Sequence, residues 1–359
     1  MKTTSNISFY GESNLGLRRT NNEDAFISQT IWDNENVLAV VIDGVGGYDG
    51  GEVAAAIAKT TIVEYLENFP NGERANLLKQ AVIEANNEIL KSRSESEEYK
   101  NMSCVLTSIL VEAKKGLIHM AHIGDTRLYQ YSKGNIVKLS HDHSLIGYRE
   151  EVGELTEEEA MRHPQRNIIG RDVGSKYMEM DTDLVEMETF RLQSNSILLL
   201  CSDGLSDMIT SSMMAETLSK DISIEYKTKE LIEKANSEGG NDNVTVVLVQ
   251  YTGPSFEMLD LPSERTITKG IDYKEEKIEI NNSVEDKERM LSKIYMLLKI
   301  NMVLLVLVLG LLSLFTFRSY CSSETEVTDI KQNNEGISDT VVDTLMIDTH
   351  IENKDSLNE

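Results

Sequence analysis

Short apolar runs bounded by Gly, Asn or Asp recur along the first 252 residues and predict β-strands. The predicted strands are Val37–Ile42, Val105–Val111, Leu117–Ile123, Ile197–Cys201 and Val244–Tyr251. Two longer segments, Glu52–Phe69 and Arg74–Arg93, predict helices, and apolar residues in the second recur at steps of three and four. Because the helices come as a pair between strands, without regular strand–helix alternation, the pattern predicts an α+β layered domain over residues 1–252.

A different pattern follows this domain. Residues 253–295 are polar and charged, which predicts a cytosolic linker with a juxtamembrane segment. The run from Ile300 to Phe317 has no charged residue, and its roughly 18 residues are long enough to cross a bilayer. A buried core helix is the alternative, but the run has no polar face and lies outside the globular pattern. We therefore predict a single transmembrane helix over residues 296–318.

Charges on the two sides of this span predict its orientation. The positively charged residues just before it are Lys287, Arg289, Lys293 and Lys299. Behind it, Arg318 is followed by Glu324, Glu326 and Asp329. The positive-inside bias predicts a single-pass protein of the cell membrane with its large domain in the cytosol. Residues 319–359 are acidic and poor in aromatics, which predicts a disordered extracytoplasmic tail.

Composition narrows the possible partners. The 359-residue chain carries a formal net charge of -25, which argues against nucleic acid as a partner because phosphate backbones are bound through clustered Lys and Arg. Its three cysteines are too few and too scattered for a disulfide framework or a zinc site. The N-terminus has no apolar stretch typical of a cleavable secretory signal. Either the acidic residues form a solvated surface, or some of them bind hard cations.

Four aspartates stand at the ends of predicted strands. Asp43, followed by Gly44, ends LAVVID; Asp125 follows IHMAHIG; Asp203 ends LLLCSD; Asp242 precedes the last strand. Singly, each has an ordinary alternative as a turn or cap residue. Together they would repel one another at one sheet end unless cations lay between them. Ligands that are all oxygen favour Mg(II) or Mn(II) over zinc.

Histidine supplies no competing metal signal. None of the six histidines has paired-ligand spacing, and His141 and His143 in LSHDHSL are interpreted as a loop feature.

Upstream, Arg19 precedes Glu23 and Asp24 in RTNNEDAF. A guanidinium offers a planar fork of donors for two phosphate oxygens, and the alternative is a surface ion pair of little energetic weight.

Seven ordered motifs then carry a specific resemblance. RTNNEDAF, DGVGGYDGGE, GDTRLYQY, LSHDHSL, NIIGRDVG, LLCSDGLSDMI and GGNDNVTVV follow the motifs of the metal-dependent protein phosphatases (PPM, type 2C), bacterial subgroup, over about residues 7–251. The resemblance implies a four-layer αββα sandwich of two antiparallel sheets flanked by helices, here followed by the membrane helix. It also implies a flap beside the active site.

The resemblance implies two Mn(II) or Mg(II) ions and a weaker third. The residues it assigns to the metals are Glu23, Asp43, Gly44, Asp125, Asp203 and Asp242. In this assignment Asp43 bridges two ions and the carbonyl of Gly44 helps hold one, while Asp125 and Asp203 hold the third. Glu23 acts through water. As catalytic residues, Arg19 grips the substrate phosphate and Asp24 steadies the metal-binding carboxylates from behind.

Three departures from the family pattern stand out. Val45 takes the position where many eukaryotic members have a histidine proposed as general acid. Ser103, Cys104 and Val105 replace a Gly-Thr-Thr segment, and the membrane span is an appendage found only in some bacterial relatives.

The sequence thus predicts a metal-dependent serine/threonine phosphoprotein phosphatase. It would act through a metal-bridged hydroxide on phosphorylated proteins and oppose a cognate bacterial Ser/Thr kinase. One alternative is a catalytically weak, membrane-anchored adaptor that binds phosphoproteins. The other is hydrolysis of a small phosphate ester, for which no P-loop or nucleotide pocket is visible.

Overall fold

Two antiparallel β-sheets form the centre of the described chain, which in this computed structural model comprises residues 2–4, 6–45, 50–95, 97–254 and 256. The first sheet contains, in spatial order, β1 (Lys2–Thr4), β2 (Ile7–Asn14), β11 (Val244–Tyr251), β10 (Ser196–Cys201), β7 (Arg127–Ser132) and β8 (Asn135–Lys138). The second contains β3 (Asp24–Thr30), β4 (Asn36–Val45), β5 (Ser103–Glu112), β6 (Leu117–Ile123) and β9 (Glu186–Arg191).

Helices cover the outer face of each sheet. The helices α1 (Gly51–Asn68) and α2 (Arg74–Glu95) pack on the second sheet, and α6 (Ser211–Ser219) and α7 (Ile224–Ser237) pack on the first. Three short helices complete the described set: α3 (Leu145–Glu151), α4 (Glu157–Met161) and α5 (Asp203–Ser206). The predicted four-layer α+β sandwich is confirmed.

Side-chain alternation explains why the layers stack. Along Val37–Ile42 the odd-numbered side chains pack between the two sheets, and the even-numbered ones pack against α1 and α2. All six residues are 0% exposed, so the strand is buried on both faces and appears as a continuous apolar run. The same alternation divides Ile197–Cys201 between the inter-sheet core and the helices of the first sheet.

Within residues 1–252, every strand and helix predicted from the pattern is present, with ends shifted by a few residues at most. Leu117–Ile123 and Val244–Tyr251 match the observed strands β6 and β11. The pattern did not identify the other described elements, among them β2, the hairpin β7–β8 and the helices α6 and α7. Polar side chains N-cap the two helices: Thr210 accepts the Met213 N–H and Ser223 accepts the Tyr226 N–H.

The C-terminal predictions fall almost wholly outside the described residues. These are the linker at 253–295, the membrane helix at 296–318 and the tail at 319–359. In the part of the chain that the structure describes, no helix is both long and apolar enough to cross a membrane.

Candidate metal centre

An acidic cleft of about 440 Å³ opens at one end of the two sheets. The residues predicted from the sequence that line it are Arg19, Glu23, Asp43, Gly44, Asp125, Asp203 and Asp242. They come from segments up to 223 residues apart, since Arg19 and Asp242 touch across the cleft. The structure therefore brings together every residue that the sequence assigned to the metals.

Antiparallel pairing explains the convergence. The end of β10 lies beside the starts of β11 and β7, since Cys201 pairs with Val246 on one side and with Arg127 on the other. Asp203, Asp242 and Asp125 follow or precede these strand ends and so reach the same edge. Asp125 lies in the turn that connects β6 of the second sheet to β7 of the first.

Gly44 allows the backbone carbonyl groups of Gly51 and Glu23 to lie close to the end of β4, at the floor of the cleft. A Cβ at this position would lie 2.2 Å from the carbonyl oxygen of Gly51 and 2.6 Å from that of Glu23. Its own N–H donates to the Glu23 carbonyl oxygen at 3.1 Å. Only glycine fits here, and the contact fixes Glu23 next to the end of β4.

Asp24 connects the two sheets behind the cleft. It is the register partner of Asp43 across β3 and β4, and its Oδ2 accepts a hydrogen bond from the Ser202 hydroxyl at 2.8 Å. Desolvation raises the pKa of Asp24 to about 7, against the opposing effect of hydrogen bonds from Thr245 and Ser202. Because Ser202 directly precedes Asp203, this bond joins two of the strand ends that carry the acids.

The carboxylates at the cleft repel one another. Burial, followed by the neighbouring carboxylates, raises the pKa values of Asp43 and Asp203 well above their usual range. Among charged groups, Asp207 contributes most to the rise at Asp203. Burial raises the pKa of Asp125 to about 7. Such a group stays fully ionised at neutral pH only when a cation compensates it.

This donor set fits divalent metal ions. The Oδ1 atom of Asp203 is buried and has no hydrogen-bond partner among the described residues. An unpaired buried carboxylate oxygen is costly, and a bound cation would satisfy it. The predicted side-chain donors are all carboxylates, which favours Mg(II) or Mn(II).

Arg19 lies at the mouth of the cleft. Its Nη2 donates to Asp242 Oδ2 at 2.7 Å, and its Nη1 lies 3.6 Å from Glu23 Oε2. The hydrogen bond to Asp242 is the main cause that raises the pKa of the guanidinium. With 45% of its side chain exposed, Arg19 can still present donors to a ligand in the cleft.

The cleft is also lined by residues of the stretch in which the family resemblance implies a flap. Asn167 and Ile169 line the cleft from the end of residues 157–169, here called the wall segment. Two of the departures noted in the sequence also reach the cleft, since Val45 and Val105 line it. The sequence analysis gave no separate role to Asn167 or Ile169, although both belong to the quoted motif NIIGRDVG.

A second polar group lies behind Asp125. His122, His143 and Glu186 place possible ligand atoms within 4.8 Å of one another. His143 Nδ1 accepts the Gly124 N–H at 3.1 Å, so the neutral ring carries its proton on Nε2, which faces Glu186 at 3.5 Å. Both ring nitrogens of His122 also have partners, Thr107 Oγ1 and the His141 carbonyl oxygen. We interpret this group as a hydrogen-bond network that supports the turn at Asp125, in which Gly124 has a φ of 111°.

Known proteins are similar to most of the described part of this chain. Residues 17–242 match the family model described as protein phosphatase 2C. The protein phosphatase PhpP of Streptococcus pneumoniae is 32% identical over 249 residues, which cover 68% of this chain and 98% of PhpP. The serine/threonine phosphatase stp of Listeria monocytogenes is 31% identical over 242 residues, covering 66% of this chain and 92% of stp.

Solved structures share the fold. The Mycobacterium tuberculosis serine/threonine phosphatase PstP/Ppp aligns with a TM-score of 0.61 and 29% identity over 69% of this chain and 100% of its own. The catalytic domain of PstP in complex with two manganese ions aligns with a TM-score of 0.59 and 27% identity, over 69% of this chain and 99% of its own.

Proposed function

We propose, because this chain belongs to the protein phosphatase 2C family, that its acidic cleft removes phosphate from phosphoserine and phosphothreonine in other proteins. Membership in the family makes the chain a metal-dependent serine/threonine protein phosphatase. The observation that carries the proposal is the convergence of strand-end carboxylates around the unpartnered Oδ1 of Asp203.

The carboxylates would hold the cations in the arrangement that the family resemblance implies. Asp43, Asp203 and Asp242, with the Gly44 carbonyl, would hold two Mn(II) or Mg(II) ions, and Glu23 would contribute through water. Asp125 would hold a weaker third ion together with Asp203. Two such cations supply Lewis-acid catalysis and lower the pKa of water. The pairing of Asp24 with Ser202 would keep Asp43 and Asp203 in place.

Arg19 would bind the phosphoryl group. Asp242 and Glu23 hold its guanidinium over the cleft, where the planar fork can donate to two phosphate oxygens. These bonds orient the ester and neutralise charge that develops on the phosphoryl oxygens during transfer. The side chain therefore contributes to both substrate binding and turnover.

Replacing Arg19 with Lys tests this role. Lysine keeps the positive charge but loses the fork, so we expect kcat/KM for a phosphothreonine peptide to fall by about tenfold to a hundredfold, while the affinity for Mn(II) changes little. Steady-state kinetics and a metal titration measure the two quantities.

The matched control is Arg18→Lys. Arg18 is the exposed neighbour of Arg19 and does not line the cleft. If both variants kept wild-type kcat/KM, Arg19 would have no part in phosphate binding.

The partner and the location of the enzyme are further parts of the proposal. A phosphatase of this specificity needs a Ser/Thr kinase that supplies its substrates, so we propose that it opposes such a kinase. The charge-free run at residues 300–317 and the preceding lysines support an anchor in the cell membrane, with the catalytic domain in the cytosol and the tail outside.

Cell fractionation tests the anchor. We expect the full-length chain in the membrane pellet after washing with high salt, and a version ending at residue 252 in the supernatant. Protease added to intact protoplasts should remove only an epitope placed after residue 319. Recovery of the full-length chain in the supernatant would disprove the anchor without affecting the enzymatic assignment.

A further inference from the structure

Two leucines are exposed on the loop that leads from β2 to Arg19. Leu15 is 40% exposed and Leu17 is 65% exposed, and the two are here called the leucine pair. An aliphatic side chain stabilises a fold only to the extent that it leaves water, so packing of the domain explains little of either residue. Because single exposed leucines are common on protein surfaces, what matters is how the loop holds this pair and what lies beside it.

The loop is fixed to the segment that carries Asp242. The Leu17 N–H donates to the Gly240 carbonyl oxygen at 2.8 Å. Gly16 has a φ of 76°, and a Cβ there would lie 2.1 Å from the Asp242 carbonyl oxygen. The backbone between the two leucines therefore lies directly against the chain next to the metal cleft.

Asn243 fixes the other leucine together with the cleft. Its Nδ2 donates to the carbonyl oxygens of Leu15 and Asn21, both at 3.0 Å. Its Oδ1 accepts the Glu23 N–H at 2.8 Å. One side chain thus sets the position of Leu15 relative to Asn21 and Glu23, which line the cleft.

The side chain of Leu17 lies over Gly240 on one side and faces water on the other. A Cβ at Gly240 would lie 2.8 Å from Leu17 Cγ, so the glycine makes room for the leucine. Leu17 precedes Arg19 by two residues, which puts their Cα atoms at most about 7 Å apart. An extended peptide advances about 3.4 Å per residue. A phosphorylated residue bound through Arg19 would therefore bring residues about two or three positions away next to the leucine pair.

We propose that the leucine pair is a specificity surface that binds an apolar side chain about two or three residues from the phosphorylated serine or threonine of the substrate. The inference rests on the proposed function, because it assumes that the phosphoryl group binds at Arg19. A phosphorylated polypeptide is the partner that fits, since the pair is continuous with the cleft that takes its phosphate. Contact removes apolar surface of both partners from water, and the fixed loop loses little conformational entropy on binding.

The test uses two phosphothreonine peptides and the full-length chain. The peptides differ only in having leucine or serine at the second and third positions on either side of the phosphothreonine. For wild type we expect kcat/KM to be about tenfold higher for the leucine peptide, mainly through a lower KM. Leu17→Ser should reduce this ratio to about two or less. Leu15→Ser should reduce it by a smaller factor, because Leu15 is less exposed and farther along the chain from Arg19.

Ile222→Ser is the matched control. Ile222 is 40% exposed, as is Leu15, and it lies just before α7, whose 14 residues separate it from the chain at Gly240. This variant should keep the ratio of wild type. Thermal unfolding of each variant, measured alongside, should give melting temperatures close to that of wild type, because the replaced side chains are exposed.

The ratio of the two peptides separates recognition from a structural role. If Leu17→Ser lowered kcat/KM equally for both peptides, Leu17 would act only through the position of Asp242 or Arg19, and the inference would be wrong. It would also be wrong if wild type preferred neither peptide, or if the variants kept the full ratio and only converted a dimer to a monomer in sedimentation. Failure of wild type to hydrolyse either peptide in Mn(II) would overturn the proposed function, and this inference with it, independently of any variant.

Discussion

Replacing Asp203 with Asn is expected to lower kcat/KM for a phosphothreonine peptide in Mn(II) by about a thousandfold or more, the loss typical when charge stabilisation is removed from a transition state. The same change should raise the melting temperature of the metal-free protein. Asp203 has an unpartnered buried oxygen and repels the carboxylates around it, so a neutral amide of the same shape relieves an unfavourable interaction. Steady-state kinetics and thermal unfolding in EDTA measure the two effects.

The pairing of lost activity with gained stability is what identifies a metal ligand. A variant that had merely misfolded would lose both. Asp43→Asn should reproduce the pair, because burial and then the neighbouring carboxylates also raise the pKa of Asp43. Asp221→Asn is the matched control, an exposed aspartate between α6 and α7, and should change neither quantity. Full activity of Asp203→Asn would remove the basis for the assigned metal centre.

Strand-end acids were predictable because two independent patterns meet at them. A run such as Val37–Ile42 has to be buried on both faces, and the Asp-Gly pair after it marks the point where the strand leaves the core. Burial of several such strands in antiparallel sheets then places their ends at shared edges. The sequence does not give the register, and the pairing of Asp24 with Asp43 became visible only in the sheet.

Other features have no local pattern that could reveal them. Arg166 and Asp207 are 41 residues apart, and only the fold brings the wall segment against α5. His143 contacts the turn at Gly124 in the same way, across 19 residues, although the sequence suggested only a loop. Contacts of this kind depend on where irregular segments cross the surface, which hydrophobic periodicity does not encode.

The hydrophobic pattern did not predict strands and helices that are only partly buried. In β2 only the first three residues are buried, so its second half shows no apolar alternation. Helix α7 buries Ile224, Leu231, Ile232 and Ala235, but the polar residues Lys227 and Thr228 are also buried and interrupt the apolar pattern.

The metal-free protein is expected to become less stable as the pH rises from about 6.5 to about 8, and Mn(II) should cancel or reverse this loss. Desolvation raises the pKa values of Asp24 and Asp125 to about 7, above the value of about 3.9 expected in the unfolded chain. The folded state therefore binds more protons than the unfolded state, so the free energy of unfolding falls as these protons are lost. Thermal unfolding in EDTA should show a melting temperature lower by about 5 °C at the higher pH.

The pH range of this test starts at about 6.5, because below that pH His122 changes the free energy of unfolding in the opposite direction. Burial lowers its pKa to about 4, so it stabilises the folded state as the pH rises toward about 6.5, the pKa in the unfolded chain, and adds no further slope above that. Above about pH 6.5 the carboxylates alone determine how the free energy of unfolding changes with pH. Mn(II) binds their deprotonated form, so the gain in melting temperature on adding metal should grow with pH. Asp203→Asn removes one of the mutually repelling acids and should flatten the slope in EDTA. A melting temperature that rose with pH in the metal-free protein would mean that the strand-end carboxylates already have enough positive partners within the chain, and the physical reason for a bound cation would be gone.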